Sequence, residues 1–305
     1  MLIHLLPAFT KTSATLVGFT AILFWSSNVG LMRSVSESFG AIPGAALIYS
    51  IATVILLFTI GVPKLSCIPK AYLFWGSLLF VAYELCFSLS IGFAQNPRQA
   101  IEVGMVNYLW PTFTLIFAIM FNNVKANWLI FPGCIAALVG IFLVLSGETG
   151  IHLDLMWLNL QSNPLSYALA LAAAVLWGVY CAVTIRTSEG KNVVTLFFAL
   201  VAVVLWFKYW LMGAPDLNFT PENSFVLLMS AAALGLGYGA WNIGILSGNI
   251  TLLAGASYFT PVLSAFSAVL LLNTTLSWMF WQGVMLVTCG AILCWLSTRE
   301  KKIAH

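Results

Sequence analysis

The chain has 305 residues, of which 61% are hydrophobic and only 7% are charged. Soluble domains carry about 25% charged residues, so this chain cannot cover a soluble surface and belongs in a bilayer. The net charge of +3 is small and scattered, with no basic patch that would hold nucleic acid.

Ten apolar runs follow in chain order, each near the length of about 20 residues that a spanning helix needs. They cover roughly residues 12–32, 41–61, 71–92, 99–121, 127–146, 165–186, 192–212, 225–246, 249–272 and 277–297. Breakers separate them: Gly61-Val62-Pro63, Gln95-Asn96-Pro97, Gly213-Ala214-Pro215 and Asn273-Thr274-Thr275. The longest gap, about residues 147–164, carries Glu148 and Asp154 and ends in Asn163-Pro164; it reads as an extracytoplasmic surface linker. The expected domains are therefore a first five-helix repeat over 1–148, the linker over 149–164, and a second five-helix repeat over 165–305. The N-terminus lacks the layout of a cleaved signal peptide, so the first helix is expected to be retained.

Orientation comes from the loop cations. With the N-terminus in the cytoplasm, Lys11, Lys64, Lys70, Lys125, Arg186, Lys191, Arg299, Lys301 and Lys302 lie inside, and Arg33, Arg98 and Lys208 outside. That bias places both termini in the cytoplasm. Arg98 reads as a solvated charge in an outer loop, and Lys208 as a cation that snorkels from its helix end.

A short pattern occurs twice, about 150 residues apart. The first copy is Phe24-Trp25-Ser26-Ser27-Asn28, then Arg33 and Glu37-Ser38-Phe39-Gly40. The second is Leu176-Trp177-Gly178-Val179-Tyr180, then Arg186 and Ser188-Glu189-Gly190. Tyr108-Leu109-Trp110-Pro111 and Tyr258-Phe259-Thr260-Pro261 repeat at the same offset. Five helices per half start the second half on the opposite side of the membrane, so the repeat is inverted. Inverted repeats place a binding site near the midplane between the halves. The expected architecture is an all-α integral membrane protein with ten transmembrane helices, arranged as two inverted five-helix repeats around a central cavity.

Candidate cavity residues are mid-helix aromatics with amides beside them. Trp25 and Asn28 share a face of the first helix. Tyr83, Phe87 and Ser90 form a stripe on the third. Asn107, Trp110 and Thr114, spaced i, i+3 and i+7, are expected on one face of the fourth, with Tyr108 beside them. The sixth offers Trp177, Cys181 and Thr184 with Tyr180. The eighth offers Tyr238, Trp241 and Asn242 in a glycine-rich stretch that permits close packing. The ninth offers Tyr258. A mid-helix Trp needs a partner for its indole N–H, which favours a cavity, whereas Trp75, Trp128, Trp278 and Trp281 near helix ends suit the interfacial belt. The three asparagines could equally bond a neighbouring helix.

Pro111 and Pro261 each remove a backbone donor, and in a bilayer the freed carbonyl must find a partner or face a cavity. They are hinge candidates, or else static kinks. Glu84 and Glu102 lie in apolar runs, where an ionised group costs on the order of 3 kcal/mol or more. Each is a candidate proton carrier; Glu84 could instead be a neutral acid bonded to another helix, or equally sit at the cavity mouth.

Paired halves, each with a Trp in its first helix and a proline in its fourth, resemble the drug/metabolite transporter superfamily with two EamA domains. The aromatic-rich helices make the chain most similar to the aromatic amino-acid exporter group of that superfamily. The resemblance implies a basket-like central cavity and secondary export of amino acids and related metabolites across the inner membrane by alternating access. Lipophilic-cation efflux is the alternative, since aromatic faces also bind cations. The expected partners are a small-molecule substrate and the lipid bilayer, with no nucleic acid, for a monomer or homodimer.

No cofactor is expected: the chain has no Walker motif for ATP and no HExxH. Six cysteines show no metal-ligand spacing, so no metal is expected either. His4, His152 and His305 lie outside the apolar runs, which leaves an intramembrane enzyme without a base. A channel would need rings of carbonyls or charges, and duplication within one chain suits alternating access better.

Overall fold

The structure is a computed structural model that describes residues 10–146 and 153–298. His4, Glu148, His152, Arg299, Lys301, Lys302 and His305 lie outside the described residues.

Thirteen α-helices run through the described residues, with a single 3-10 turn at Leu65–Cys67 and no strand. They are α1 (Lys11–Phe39), α2 (Ala41–Thr59), α3 (Lys70–Gly92), α4 (Pro97–Asn107), α5 (Trp110–Asn122), α6 (Ile130–Leu145) and α7 (Leu153–Ser162). The second half holds α8 (Pro164–Thr187), α9 (Val194–Leu211), α10 (Pro221–Ser247), α11 (Ile250–Ser257), α12 (Thr260–Leu271) and α13 (Trp278–Ser297). Eight segments are long and apolar enough to cross a membrane, with Pro97–Asn122 counted as one; Ile130–Leu145 and Thr260–Leu271 are apolar but shorter.

Two of the sequence breaks, Asn96-Pro97 and Asn163-Pro164, are helix starts; Gly61-Val62-Pro63, Gly213-Ala214-Pro215 and Asn273-Thr274-Thr275 instead follow the ends of α2, α9 and α12. Asn96 and Asn163 each cap a helix that opens on proline: their side chains accept from the Gln99 and Ser166 amides. Thr220 and Asn223 form a reciprocal capping box ahead of Pro221. Proline fits there because the first helical N–H has no partner in any case. Gly40, at φ 87, turns the chain between α1 and α2 within one residue.

Two of the runs are not single helices. The fourth breaks at Tyr108-Leu109 into α4 and α5, and the ninth at Tyr258-Phe259 into α11 and α12. Pro111 and Pro261 sit in the first turn of the second piece, where the missing N–H stops the preceding helix from continuing. Asn107 therefore ends α4 while Trp110 starts α5, and the continuous face expected for Asn107, Trp110 and Thr114 does not exist. The linker contains a helix as well, α7.

Packing follows a regular exchange. α1 lies chiefly against α10 and also against α12; α8 lies chiefly against α3 and also against α5. α2 pairs with α9, and α6 with α13. The α6–α13 contact is backbone to backbone. A Cβ on Gly140 would come within 2.7 Å of the Gly283 carbonyl, and one on Gly283 within 2.6 Å of the Gly140 carbonyl. Small residues allow such approach where lipid supplies no hydrophobic drive. Large apolar side chains such as Phe58, Phe131, Phe207 and Trp210 stay exposed, as a lipid-facing surface requires.

Candidate functional site

A cavity of about 250 Å³ lies in the middle of the bundle, walled by both halves. α1 contributes Trp25 and Asn28, and α3 contributes Tyr83, Glu84 and Phe87. The α4–α5 break contributes Asn107, Tyr108 and Trp110. Trp177 and Cys181 come from α8, Tyr238 and Trp241 from α10, and Ser257 and Thr260 from the α11–α12 break. The two helix breaks therefore both open onto this cavity.

Its aromatic walls form two nests. Trp177 has the Tyr83 ring at 4.7 Å and Trp110 at 6.0 Å between centroids, with Tyr180 behind it at 5.4 Å on the vestibule side. Trp25 has Trp241 at 5.1 Å and Tyr238 at 5.4 Å. Gly237 makes room for Trp25: a Cβ there would stand 2.9 Å from the indole nitrogen. Each nest joins helices that are distant in sequence, so the rings set the cavity shape as well as its chemistry.

Polar groups point the same way. The Trp25 and Trp177 indole nitrogens and the Asn28 and Asn107 amide oxygens are buried without a hydrogen-bond partner in the protein. All four residues line the cavity. Unpaired buried donors and acceptors are costly, and their convergence on one cavity marks a place for a polar ligand.

Glu84 is the charged residue of the lining. It is 2% exposed and is braced from two helices. Tyr49 of α2 donates to one carboxylate oxygen at 2.6 Å, and Tyr238 of α10 to the other at 3.0 Å. Tyr49, lodged in the apolar second run, shows in the sequence only as a phenol among aliphatic residues.

A second cavity of about 560 Å³ adjoins the first and shares Trp177, Tyr238 and Trp241 with it. Its mouth is formed by the α2–α3 turn at Ile60–Pro63 and the α8–α9 loop at Gly190–Asn192. Tyr180 and Asn242 line this vestibule and are absent from the central lining. Asn242 accepts from the Asn192 amide at 3.0 Å, and Tyr180 meets the Tyr72 hydroxyl at 3.4 Å. Tyr258 lies apart from both: its ring packs on Trp295 at 5.7 Å.

The opposite end is closed by hydrogen bonds. Glu102 of α4 accepts from Tyr167 at 2.6 Å, Asn159 of α7 at 2.8 Å and Arg98 at 3.2 Å. Arg98 is thus an ion-pair partner one helical turn away, and not a free loop charge. Gln95 reaches the Ser162 carbonyl and Asn163 the Phe93 carbonyl. Arg33 of α1 pairs with Glu37 at 2.8 Å and donates to the Ala94 carbonyl. These bonds tie α7 and the α3–α4 loop across the bundle, away from the central cavity. Short polar side chains in loops carry no periodic pattern, so only Arg33 and Glu102 stand out in the sequence.

Two sets of helices, two aligned breaks and a shared polar cavity define a polytopic membrane protein built like a carrier. The EamA-like transporter family matches residues 164–296. The chain is 50% identical to "Aromatic amino acid exporter YddG" of Escherichia coli (strain K12), covering 95% of this chain and 99% of that protein. It is 49% identical to the protein of the same name from Salmonella typhimurium (strain 14028s / SGSC 2262), covering 96% and 100%. The namesake of Ancylobacter novellus is 25% identical, over 93% of this chain and 96% of that protein. A solved crystal structure at 23% identity superposes with TM-score 0.67 over 95% of this chain and 99% of that chain, which shows the shared fold. The chain belongs to the YddG family of EamA-type drug/metabolite transporters.

Proposed function

We propose that the chain exports aromatic and other neutral amino acids, with related amphipathic metabolites, across the inner membrane by alternating access. The observation that carries this reading is the central cavity: aromatic walls beside unpaired donors and acceptors suit a zwitterion with a large side chain. The two relatives at 50% and 49% identity bear the name of aromatic amino acid exporters.

We read ten spans in two inverted repeats, with both termini cytoplasmic. α6 lies along α13, itself long enough to span, and its 16 residues rise about 24 Å. α11 and α12 together cover 250–271 as α4 and α5 cover 97–122. The partner exchange supports the pseudo-symmetry: α1 with α10 corresponds to α8 with α3, and α1 with α12 to α8 with α5. In this orientation the vestibule beside Lys191 faces the cytoplasm, and the Glu102 network closes the outer side. Substrate enters the vestibule, passes the rings of Trp177, Tyr238 and Trp241, and rests between the two nests. The halves then rock, bending at the breaks beside Pro111 and Pro261. Glu84, facing the cavity, is positioned to carry a proton on the return; Glu102 is held in the outer seal.

Counterflow in proteoliposomes tests this. Vesicles loaded with unlabelled amino acid should accumulate external labelled phenylalanine in a saturable way, and threonine more weakly. Absence of amino-acid exchange, with exchange of a lipophilic cation, would replace this reading by multidrug efflux.

A further inference from the structure

The central cavity is asymmetric in charge. Its lining contains one carboxylate, Glu84, and, among the described residues, no lysine, arginine or histidine. An anionic ligand would therefore meet neutral donors only, such as the Trp25 and Trp177 indole N–H groups. A cationic ligand would meet a carboxylate held in place by Tyr49 and Tyr238, the acceptor oxygens of Asn28 and Asn107, and the faces of several rings. A charge-assisted bond to a fixed carboxylate is about twice as strong as a neutral one, and aromatic faces add cation–π attraction.

Resting on the exporter reading above, we infer that recognition is anchored on the substrate's ammonium group at Glu84, so that the protein also carries arylalkylamines and rejects aromatic acids that lack an amine. The ammonium ion-pairs with Glu84 while the aryl group lies among Tyr83, Trp110 and Trp177. The carboxylate of an amino acid takes the neutral N–H donors. Removing it costs neutral hydrogen bonds alone, whereas removing the ammonium leaves a buried carboxylate held by two phenols but without a counter-charge, which is the larger loss. Tyr49 and Tyr238 are positioning residues: they hold the carboxylate from α2 and α10 and do not themselves need to touch the ligand.

The test is competition against labelled phenylalanine in counterflow, with phenethylamine and 3-phenylpropionate as probes. With the wild-type protein, phenethylamine should compete within about tenfold of phenylalanine, and 3-phenylpropionate at least about tenfold more weakly than phenethylamine. Glu84→Gln should weaken phenylalanine and phenethylamine by about tenfold or more and leave 3-phenylpropionate unchanged or improved. Labelled phenethylamine should itself exchange. The wild-type ranking decides the matter even where Glu84→Gln fails to fold. Phenylalanine counterflow with 3-phenylpropionate ranked above phenethylamine would overturn the ammonium anchor and leave amino-acid export standing. Parallel losses for both probes in a folded Glu84→Gln protein would overturn it too. Exchange of phenethylamine without any of phenylalanine would support the anchor while removing the amino-acid reading.

Discussion

The Thr260 hydroxyl donates to the Ser257 carbonyl at 2.6 Å. That carbonyl is the one to which residue 261 would donate in a continuous helix, and residue 261 is proline. A side chain thus takes over the bond that the ring removes, and the break between α11 and α12 is satisfied at the edge of the cavity. A buried carbonyl left without its donor costs about 1–3 kcal/mol. Thr260→Val should lower the melting temperature of the detergent-solubilised protein, and Thr260→Ser should restore it. Equal melting of the valine variant and the wild type would show that the carbonyl has another donor.

The corresponding break beside Pro111 gives a prediction about motion. If the two breaks bend during transport, Pro111→Ala and Pro261→Ala restore a backbone donor and stiffen each junction. Turnover in counterflow should fall about tenfold while the apparent affinity for phenylalanine changes by less than about threefold, because a barrier rise of about 1.4 kcal/mol suffices for the former. Normal export by the double variant would show that the breaks are static kinks.

Trp110 stands 6.0 Å from Trp177 and has its side chain at the cavity. Trp110→Ala should weaken phenylalanine and tryptophan by about tenfold and threonine by about twofold, since ring-on-ring contact is worth about 0.5–1.5 kcal/mol beyond the area it buries. Competition curves for the three amino acids measure this. An equal loss for all three would assign Trp110 to holding the fold.

The α6–α13 pair sets a limit on size. A methyl group on Gly283 would come within 2.6 Å of the Gly140 carbonyl, so something must shift. Gly283→Ala should destabilise the protein by about 1–3 kcal/mol, and Gly283→Leu more, as overpacking does. Thermal melting reads this, and a neutral alanine variant would mean that the two helices separate freely.

The aromatic members of the site are legible in the sequence because an indole N–H in mid-span finds no partner in lipid and so turns inward, as at Trp25 and Trp177. The paired Tyr-x-x-Pro stretches also point to matching places in the two halves. Their local geometry is not legible: hydropathy runs straight through Tyr108 and Tyr258, so two helices read as one, and periodicity then puts Asn107 on a face with Trp110. Tyr180 and Asn242 are sequence neighbours of the cavity residues Cys181 and Trp241 but line the vestibule, a difference of facing that the sequence pattern does not reveal. Tyr49 and Asn159 act through hydrogen bonds to acids far away in sequence, and neither leaves a local pattern.

In the orientation proposed above the Glu102 network is the outer seal, and that yields the remaining prediction. Glu102 joins α4, α7 and α8 through Asn159, Tyr167 and Arg98. Hydrogen bonds to a charged group are worth about 1.5–3 kcal/mol each, so Glu102→Gln should favour the outward-open arrangement by about tenfold or more. Cys181, which lines the central cavity, is a natural reporter. In a protein whose other cysteines are replaced by serine or alanine, an impermeant thiol reagent added outside should label Cys181 slowly, and about tenfold faster with Glu102→Gln. Asn159→Ala should act in the same direction and more weakly, because it removes one of the three bonds. Labelling that is already rapid from outside in the parent protein, and slow from the cytoplasmic side, would reverse the orientation. Labelling unchanged by either substitution would show that the network around Glu102 holds α7 in place without governing access to the cavity.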